Sequence, residues 1–163
     1  MILDFKPAHQ TDLSLAYSFL RDSFQISFGR DSSLWPNNLG NLTEHDYIEI
    51  IQKKLVRDAE AVIHVWQNDE IIGQIESSVK KNDSKCGYVS LYYLIPEKRG
   101  AGLGLLMDKY VRLRLSRLGC IRAELTVVTS NSPALKFYQK QGWINKGPHP
   151  LYQDGILMEK IFD

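Results

Sequence analysis

Hydrophobic residues recur three to four positions apart in four stretches of the chain, a spacing that predicts amphipathic helices. Leu13, Ala16 and Leu20 mark the first stretch, and Tyr47 and Ile51 mark the second. The third and fourth stretches are each followed by a glycine, a residue that favours the end of a helix. The predicted helices cover residues 12–28, 43–57, 103–118 and 132–141.

Two of these helices carry recognisable start signals. Thr43 is followed three residues later by Asp46, which predicts a capping box at the start of the second helix. Ser132 is followed by Pro133, which predicts that Ser132 caps the fourth helix.

Short runs rich in β-branched and aromatic residues, some with alternating polarity, predict strands between and around the helices. The segment Asn68-Asp69-Glu70 separates two such runs, which predicts a tight hairpin. Residues 80–85 (KKNDSK) read as a polar turn, and Pro96 ends the run GYVSLYYLI. The predicted strands cover residues 2–6, 61–67, 71–79, 87–95, 121–128, 143–145 and 151–161.

The element order β-α-α-β-β-β-α-β-α-β-β predicts an α/β fold of the mixed (α+β) kind. We expect a central, mostly antiparallel or mixed twisted sheet of about six or seven strands, flanked by about four helices. The chain has 163 residues, of which 44% are hydrophobic and 24% charged, a composition typical of one globular domain. We therefore expect a single domain over residues 1–163.

Composition also excludes several classes of partner. The net charge is +1, without the clustered basic face of most nucleic-acid-binding domains. Cys86 and Cys120 lie far apart and the four histidines lack metal-ligand spacing, so we expect neither a disulfide framework nor a metal. Because we find neither a signal peptide nor a run of about 18 apolar residues, we expect no membrane partner and a cytoplasmic location.

The segment PEKRGAGLG (residues 96–104) lies between a predicted strand and a predicted helix. Glycines let backbone N–H groups approach an anion, and the following helix directs unpaired N–H groups and partial positive charge to the same place. The segment therefore predicts a phosphate or pyrophosphate site. It lacks the Lys-Ser/Thr pair of a P-loop, and Leu105 replaces the third glycine of a dinucleotide fingerprint.

Two motifs carry a family resemblance. Arg99, Gly102 and Gly104 form the pattern RxxGxG, which resembles the pyrophosphate-binding motif of the GCN5-related N-acetyltransferase (GNAT) family. Residues 131–143 (NSPALKFYQKQGW) resemble that family's NxxAxxxYxxxGF segment, with Trp143 in place of Phe. The resemblance covers about residues 60–161 well and the first 60 residues by element order.

The resemblance implies an acetyl-CoA-dependent N-acetyltransferase in which a primary amine attacks the thioester directly. The amine would belong to a small molecule or to a peptide or protein N-terminus. Tyr138 would be catalytic, because a phenol with a pKa of about 10 stays protonated at neutral pH and can protonate the leaving thiolate. The residues implied to bind the cofactor are Tyr92, Tyr93, Leu94, Arg99, Gly100, Ala101, Gly102, Leu103, Gly104, Leu105 and Asn131.

The sequence does not single out one general base. Many family members carry a Glu five residues before the motif's Asn, and Thr126 occupies that position here. Glu76 and Glu124 are the nearest acidic residues on predicted strands. Water that passes the proton along hydroxyl groups such as that of Ser90 is an equal alternative.

The acceptor side is less defined by the sequence. The resemblance implies that the first two helices and the last hairpin frame the acceptor, a region that includes Phe28, Arg30, Trp35 and Tyr152. Trp35 is either a lid or a hydrophobic plug. Two alternatives for the whole chain stay open: a CoA-binding GNAT-fold module without transferase activity, and an acyltransferase that uses a longer acyl-CoA. A homodimer is a further expectation from the resemblance.

Overall fold

The computed structural model describes residues 2–163, which form seven strands and four α-helices. The helices are α1 (Leu13–Phe28), α2 (Glu44–Arg57), α3 (Leu103–Arg117) and α4 (Ser132–Lys140). The strands are β1 (Asp4–Pro7), β2 (Val62–Gln67), β3 (Glu70–Lys80), β4 (Asp83–Leu94), β5 (Arg122–Val128), β6 (Ile144–Pro148) and β7 (Gly155–Ile161).

The strands form one mixed sheet in the order β1-β2-β3-β4-β5-β7-β6. Four of the neighbouring pairs, β1–β2, β2–β3, β5–β7 and β6–β7, are antiparallel. The pair β4–β5 is parallel, and its ladder joins Cys86–Val89 to Arg122–Leu125. This architecture confirms the predicted mixed α/β class, with about six or seven strands and about four helices.

The chain divides into two compact units, each of which is described on its own. Unit 1 comprises Met1–Glu76 and Leu91–Arg99. In its core, the apolar faces of α1 and α2 pack together with the start of β2, as the helical spacing in the sequence predicts. The fully buried members of this core include Leu13, Ala16, Ile51 and Val62.

Unit 2 comprises Ser77–Ser90 and Gly100–Asp163. Its strand β5 alternates in burial, with Ala123, Leu125 and Val127 on the buried face. Helix α3 comes close to β4 at Gly87, where an added Cβ would lie 2.5 Å from a methyl carbon of Leu115. A larger residue at that position would push the helix away from the strand.

Two local features of the sequence form as predicted. The Thr43 hydroxyl accepts a hydrogen bond from the Asp46 N–H, and the Asp46 carboxylate accepts one from the Thr43 N–H, which completes the capping box of α2. Asn68 and Asp69 both adopt left-handed φ angles, +50° and +62°, in the two-residue turn between β2 and β3. Such a turn matches the twist of a hairpin.

Other boundaries differ from the prediction. Strand β3 extends to Lys80 and strand β4 begins at Asp83, so the polar turn contains only two residues. Backbone hydrogen bonds, which are independent of side-chain polarity, can extend such a hairpin into polar sequence. The N-cap of α4 is Asn131 rather than Ser132, because the Asn131 amide oxygen accepts a hydrogen bond from the Ala134 N–H (3.4 Å).

Candidate active site

The loop after β4 owes its shape to two glycines. Residues Pro96–Lys98 form one 3-10 turn, and then Gly100 and Gly102 adopt φ angles of +75° and +80°. Other L-residues are strained at such angles, so the conformation itself calls for glycine. A Cβ added at either glycine would meet no atom within 4 Å, so this side of the backbone is open.

Helix α3 begins directly after this loop without a side-chain cap. Its N-cap is Gly102, in the left-handed conformation, and its first turn contains no acidic residue. The N–H groups of a first helical turn have no partner within the helix, and the helix dipole places partial positive charge there. The start of α3 therefore has the backbone geometry and the electrostatics of an anion site.

Gly104 has a different role from Gly100 and Gly102. A Cβ added at Gly104 would lie 2.8 Å from the ring of Phe137 on α4. The absence of a side chain thus lets α4 approach the first turn of α3. The neighbouring residue on α4 is Tyr138, the predicted proton donor.

Tyr138 lies half-buried among aromatic residues of unit 2. Its ring centroid is 5.4 Å from that of Phe137 and 6.0 Å from that of Trp143, and both pairs are edge to face. Burial raises the pKa of the Tyr138 phenol above its ordinary value, and the negative charge of Asp108 raises it further. The phenol is therefore protonated at neutral pH, as a proton donor must be.

Asp108 is a functional candidate that sequence reasoning missed. Its buried carboxylate accepts hydrogen bonds from the Trp143 indole N–H (2.9 Å) and from the Lys160 ammonium (2.5 Å). These bonds fix the indole that packs against Tyr138. No local signal in the sequence marks Asp108, because its partners lie 35 and 52 residues further along the chain.

Asn131 is occupied as a helix cap. Its side-chain oxygen accepts the Ala134 N–H at the start of α4, as described above. This role is structural, and the predicted contact of Asn131 with the pantetheine end of the cofactor stays a prediction.

In unit 1, the end of β4 contains the other predicted cofactor residues. The β4–β5 ladder ends at Val89, and Tyr92–Leu94 follow it along the strand. Tyr93 is buried and Tyr92 is half-buried. The carbonyl oxygen of Leu94 accepts a hydrogen bond from Nε of Arg99 (2.8 Å), so this acceptor is already in use.

Arg99 forms further contacts within unit 1. A terminal guanidinium nitrogen lies 3.2 Å from the carboxylate of Asp22 on α1, and the guanidinium carbon lies 5.3 Å from the centre of the Tyr93 ring. The sequence predicted Arg99 as a source of positive charge for the pyrophosphate. It did not predict Asp22, which lies 77 residues earlier in the chain.

Of the two acidic candidates for a general base, Glu76 is buried in unit 1. Its Oε1 accepts hydrogen bonds from the Tyr47 hydroxyl and the Gln74 amide, and Oε2 accepts one from the Lys54 ammonium (2.8 Å). Both oxygens are thus engaged in a network that links α2 to β3. Glu76 is therefore a structural carboxylate, which joins α2 to β3.

The second candidate, Glu124, lies on β5 in unit 2. Burial acts to raise the pKa of Glu124, but hydrogen bonds from Lys80 (2.6 Å) and Arg122 (3.0 Å) hold it below its usual range. A carboxylate paired in this way is a weak proton acceptor. The nearby Thr126 hydroxyl pairs with that of Tyr88 at 3.0 Å.

The structure also places two of the predicted acceptor-side residues. Trp35 is buried in unit 1: its indole N–H donates to the Gly29 carbonyl (2.8 Å), and the Arg21 guanidinium lies 4.4 Å over its ring. Trp35 is therefore a plug in this structure rather than a lid. In unit 2, Tyr152 packs beside Gly155, at which an added Cβ would lie 3.2 Å from Thr126.

Two features are absent from residues 2–163. Within this range, we find no cluster of three or more His, Cys, Asp or Glu side chains suited to a metal ion. No helix in the same range is both long and apolar enough to span a bilayer. Cys86 and Cys120 are both free and buried, and burial raises the pKa of Cys86 to about 11.

Residues 22–143 match the Acetyltransferase (GNAT) family. Because this match covers most of the chain, the chain belongs to the GNAT family of acetyltransferases. The match confirms the resemblance to the GNAT family that was drawn from the two motifs.

Mycothiol acetyltransferase from Corynebacterium glutamicum (strain R) is 28% identical to this chain over 122 residues. The aligned part represents 73% of this chain and 40% of that protein, so the chain spans less than half of this curated relative.

Among solved structures, the paia N-acetyltransferase from Thermoplasma acidophilum in complex with coenzyme A is similar with a TM-score of 0.76 and 16% identity, over 99% of this chain and 100% of that one. The yncA protein from Salmonella typhimurium with its cofactor acetyl-CoA is similar with a TM-score of 0.74 and 12% identity, over 100% of this chain and 95% of that one. At these identities the likeness concerns the fold, which it confirms.

Proposed function

We propose that this chain is a cytoplasmic, acetyl-CoA-dependent N-acetyltransferase whose acceptor is a primary amine of a small molecule or of a peptide or protein N-terminus. The amine attacks the thioester directly, without a covalent enzyme intermediate. Family membership, together with neighbours solved with coenzyme A or acetyl-CoA, supports the cofactor.

One observation carries the proposal: the start of α3. Two left-handed glycines open the backbone, Gly102 leaves the helix without a side-chain cap, and the first turn carries no acid. A chain that needed only a turn here could have used a capping Ser, Thr or Asp. These residues therefore fit the pyrophosphate of CoA, a doubly charged anion that backbone N–H groups and a helix N-terminus can bind.

The cofactor-binding residues are proposed as follows. The backbone of residues 99–105, named here the glycine loop, holds the pyrophosphate. By the family resemblance, the backbone of Tyr92–Leu94 would bond the pantetheine arm, and the side chain of Asn131 would contact the pantetheine end of the cofactor. When bound, acetyl-CoA supplies an acetyl group activated as a thioester.

Tyr138 is proposed to hold the proton that the leaving sulfur needs. Its raised pKa, from burial and from Asp108, keeps the hydroxyl protonated until negative charge develops nearby. The hydrogen bond from Trp143 to Asp108 fixes the indole against the Tyr138 ring, which limits the rotation of the phenol. Much of the rate enhancement would come from holding amine and thioester together.

The proton of the attacking amine is proposed to leave through water. Glu76 has both carboxylate oxygens engaged, and Glu124 is paired with two cations, so neither is available as a base in this structure. The hydroxyl groups of Tyr88 on β4 and Thr126 on β5 form a pair that offers water a polar surface. This part of the mechanism predicts a rate that rises with pH as the free amine becomes neutral.

Two alternatives are separable by experiment. A CoA-binding module without transferase activity would bind CoA but acetylate no amine, and the paired state of both acidic candidates favours it. An acyltransferase for longer chains would prefer a longer acyl-CoA in a competition assay.

A sizing measurement decides whether the protein forms a homodimer.

The first test is isothermal titration of CoA into the wild type and into Gly102→Asp and Gly102→Asn. Both variants impose the same side-chain bulk on a left-handed residue, and Asn and Asp tolerate that conformation better than most residues. Gly102→Asp also adds a negative charge at the start of α3. We expect it to weaken binding about 100-fold, and Gly102→Asn to weaken it by less than about tenfold.

A folded wild type that does not bind CoA would refute the proposed function. Equal losses in the two variants would show that bulk rather than charge matters, which would argue against an anion at this helix start. If binding is confirmed, a screen of primary amines with acetyl-CoA tests the transfer itself. The release of the free thiol of CoA is the measured signal.

A further inference from the structure

The side chain of Arg99 is held from several directions within unit 1. Its Nε donates to the Leu94 carbonyl (2.8 Å), and a terminal nitrogen donates to Oδ2 of Asp22 (3.2 Å). The Tyr93 hydroxyl donates to the same Asp22 oxygen at 2.6 Å. The guanidinium also lies over the Tyr93 ring, in the geometry of a cation–π contact.

The partners of Arg99 are themselves fixed. The Tyr93 ring is buried and stacks on Phe19, with centroids 4.7 Å apart and an interplanar angle of 27°. Phe19 and Asp22 are three residues apart on α1, which places them on neighbouring positions of one helix face. Arg99 is therefore tied to α1 through Asp22 and to the end of β4 through Leu94.

These contacts indicate that the side chain and the backbone of Arg99 have different roles. For Nε and this terminal nitrogen to turn toward a phosphate, they would have to leave the Leu94 carbonyl and the Asp22 carboxylate, respectively. While the guanidinium stays, Asp22 offsets much of its charge, because opposite charges about 3 Å apart cancel at longer range. The backbone of Arg99 nevertheless remains the first residue of the glycine loop.

We propose that Arg99, Asp22 and Tyr93 form a brace that positions the start of the glycine loop, and that the Arg99 guanidinium is not a ligand of the pyrophosphate. This inference rests on the proposed function, because it concerns how that loop binds CoA. Asp22 and Tyr93 are then positioning residues. The anion is bound by the loop backbone and the first turn of α3.

Replacing Asp22 distinguishes a brace from a direct ligand, because the two roles of Arg99 predict different changes in CoA affinity. If Arg99 binds the pyrophosphate directly, Asp22→Asn releases the guanidinium and removes a repelling charge, so CoA binds as well as before or more tightly. If Arg99 is a brace, Asp22→Asn loosens the loop and weakens binding. We expect a loss of about fivefold, typical of an interaction within a coupled network.

The experiment is isothermal titration of CoA, at one salt concentration, into the wild type, Asp22→Asn, Arg99→Gln and the double variant. We expect similar losses in both single variants and no further loss in the double variant, because each change breaks the same brace. Asp69→Asn is the charge control: Asp69 is exposed in the β2–β3 turn of the same unit, and its removal should leave binding unchanged. Tighter binding by Asp22→Asn would overturn the inference.

A second measurement tests the brace without ligand. Amide hydrogen exchange of the free protein should be faster over residues 95–105 in Asp22→Asn and Arg99→Gln than in the wild type or Asp69→Asn. Tyr93→Phe, which keeps the ring and removes one hydrogen bond, should show a smaller effect in the same direction. Unchanged exchange would overturn the brace. If the wild type binds no CoA, the proposed function fails, and this exchange experiment still decides on the brace.

Discussion

Helices α2 and α3 are similar in length but begin in opposite ways. Helix α2 starts with Thr43, whose hydroxyl and whose partner Asp46 complete a capping box, and its first turn also contains Glu44. Helix α3 starts with Gly102, which has no side chain, and its first turn contains no acid. The capping box of α2 satisfies the N–H groups of Thr43 and Asp46, whereas no side chain caps the start of α3, which is the proposed anion site.

The open start of α3 costs little stability. A glycine N-cap is only a few tenths of a kcal/mol worse than Ser, Thr or Asp, so the missing cap is a small loss. The helix is held mainly by its buried apolar residues, because burying each large side chain contributes about 1.5–3 kcal/mol. These residues are Leu103, Met107, Val111 and Leu115. The chain can thus leave this helix start available for binding without losing the helix.

Helix α4 extends the comparison. The Asn131 side chain caps its start by accepting the Ala134 N–H, whereas the start of α3 has no side-chain cap. What α4 contributes to the proposed reaction is a side chain, the phenol of Tyr138. In the proposed reaction, the backbone of α3 therefore binds the cofactor and a side chain of α4 supplies the chemistry.

The largest expected effect is that of Tyr138→Phe. The variant keeps the ring contacts with Phe137 and Trp143 but removes the hydroxyl that would protonate the leaving sulfur. We expect kcat to fall about 100-fold, the low end for loss of a general acid, with CoA affinity within about twofold of the wild type. Steady-state kinetics with an amine found in the screen, together with titration of CoA, measure both quantities.

Tyr17→Phe is the matched control for this prediction. Tyr17 is half-buried on α1 and its hydroxyl donates to the Leu42 carbonyl (2.8 Å), so the change also removes one tyrosine hydroxyl with a fixed partner. It should leave kcat unchanged. An unchanged kcat in Tyr138→Phe would remove Tyr138 from the mechanism and strengthen the reading of the chain as a binding module.

The next effect is expected from Gly104→Val, which acts on the first turn of α3. Its new side chain would overlap the Phe137 ring, because even a Cβ lies only 2.8 Å away. Overpacking of this kind costs about 1–3 kcal/mol, and the displaced turn should weaken CoA binding about tenfold. Thermal unfolding and isothermal titration measure the two losses.

Two further variants test the cause of that loss. Phe137→Leu in the Gly104→Val background makes room for the valine and should recover most of the stability and part of the CoA affinity. If the rescue fails while the protein is folded, contact with Phe137 is not the reason for glycine at position 104.

Sequence reasoning succeeded where the interacting groups are close in sequence. The capping box of α2 joins residues three apart, and the glycine pattern of the α3 loop is contiguous, so both could be predicted. The position of the α4 cap was wrong by one residue, since Asn131 and Ser132 are both good caps and only the backbone geometry selects between them.

The supporting residues of the candidate site could not be predicted. Asp22 meets Arg99 across 77 residues, and Asp108 meets Trp143 across 35. A lone aspartate on an amphipathic helix is ordinarily a solvated charge, so no pattern distinguishes these two. Similarly, Glu76 and Glu124 were candidates for the base because their strands were known and their partners were not.

A smaller effect is expected at the start of α2. Thr43→Ala removes the hydroxyl that accepts the Asp46 N–H and should lower the free energy of unfolding by about 1 kcal/mol. CoA affinity should not change, because the proposed CoA site is the start of α3 and not that of α2. Urea unfolding and CoA titration measure the two quantities, with Thr43→Ser as the control that keeps the hydroxyl. A loss of CoA binding in Thr43→Ala would break the distinction between the two helices.

The smallest effect is a pH dependence confined to α2. Hydrogen bonds from the Thr43 side chain and backbone hold the pKa of Asp46 below its ordinary value. A carboxyl group with a lowered pKa in the folded state contributes stability that is fully present above the unfolded pKa of about 3.9, and this stability is lost as the pH falls through the folded pKa. The difference in Tm between the wild type and Asp46→Asn should therefore be constant from pH 7 to about pH 5 and shrink in more acidic solution. Gly102→Asn, at a helix start with no carboxylate, should differ from the wild type by the same amount at every pH. A difference for Asp46→Asn that persists undiminished at pH 2.5 would show that the capping box is stabilised by side-chain shape rather than by the charge of Asp46.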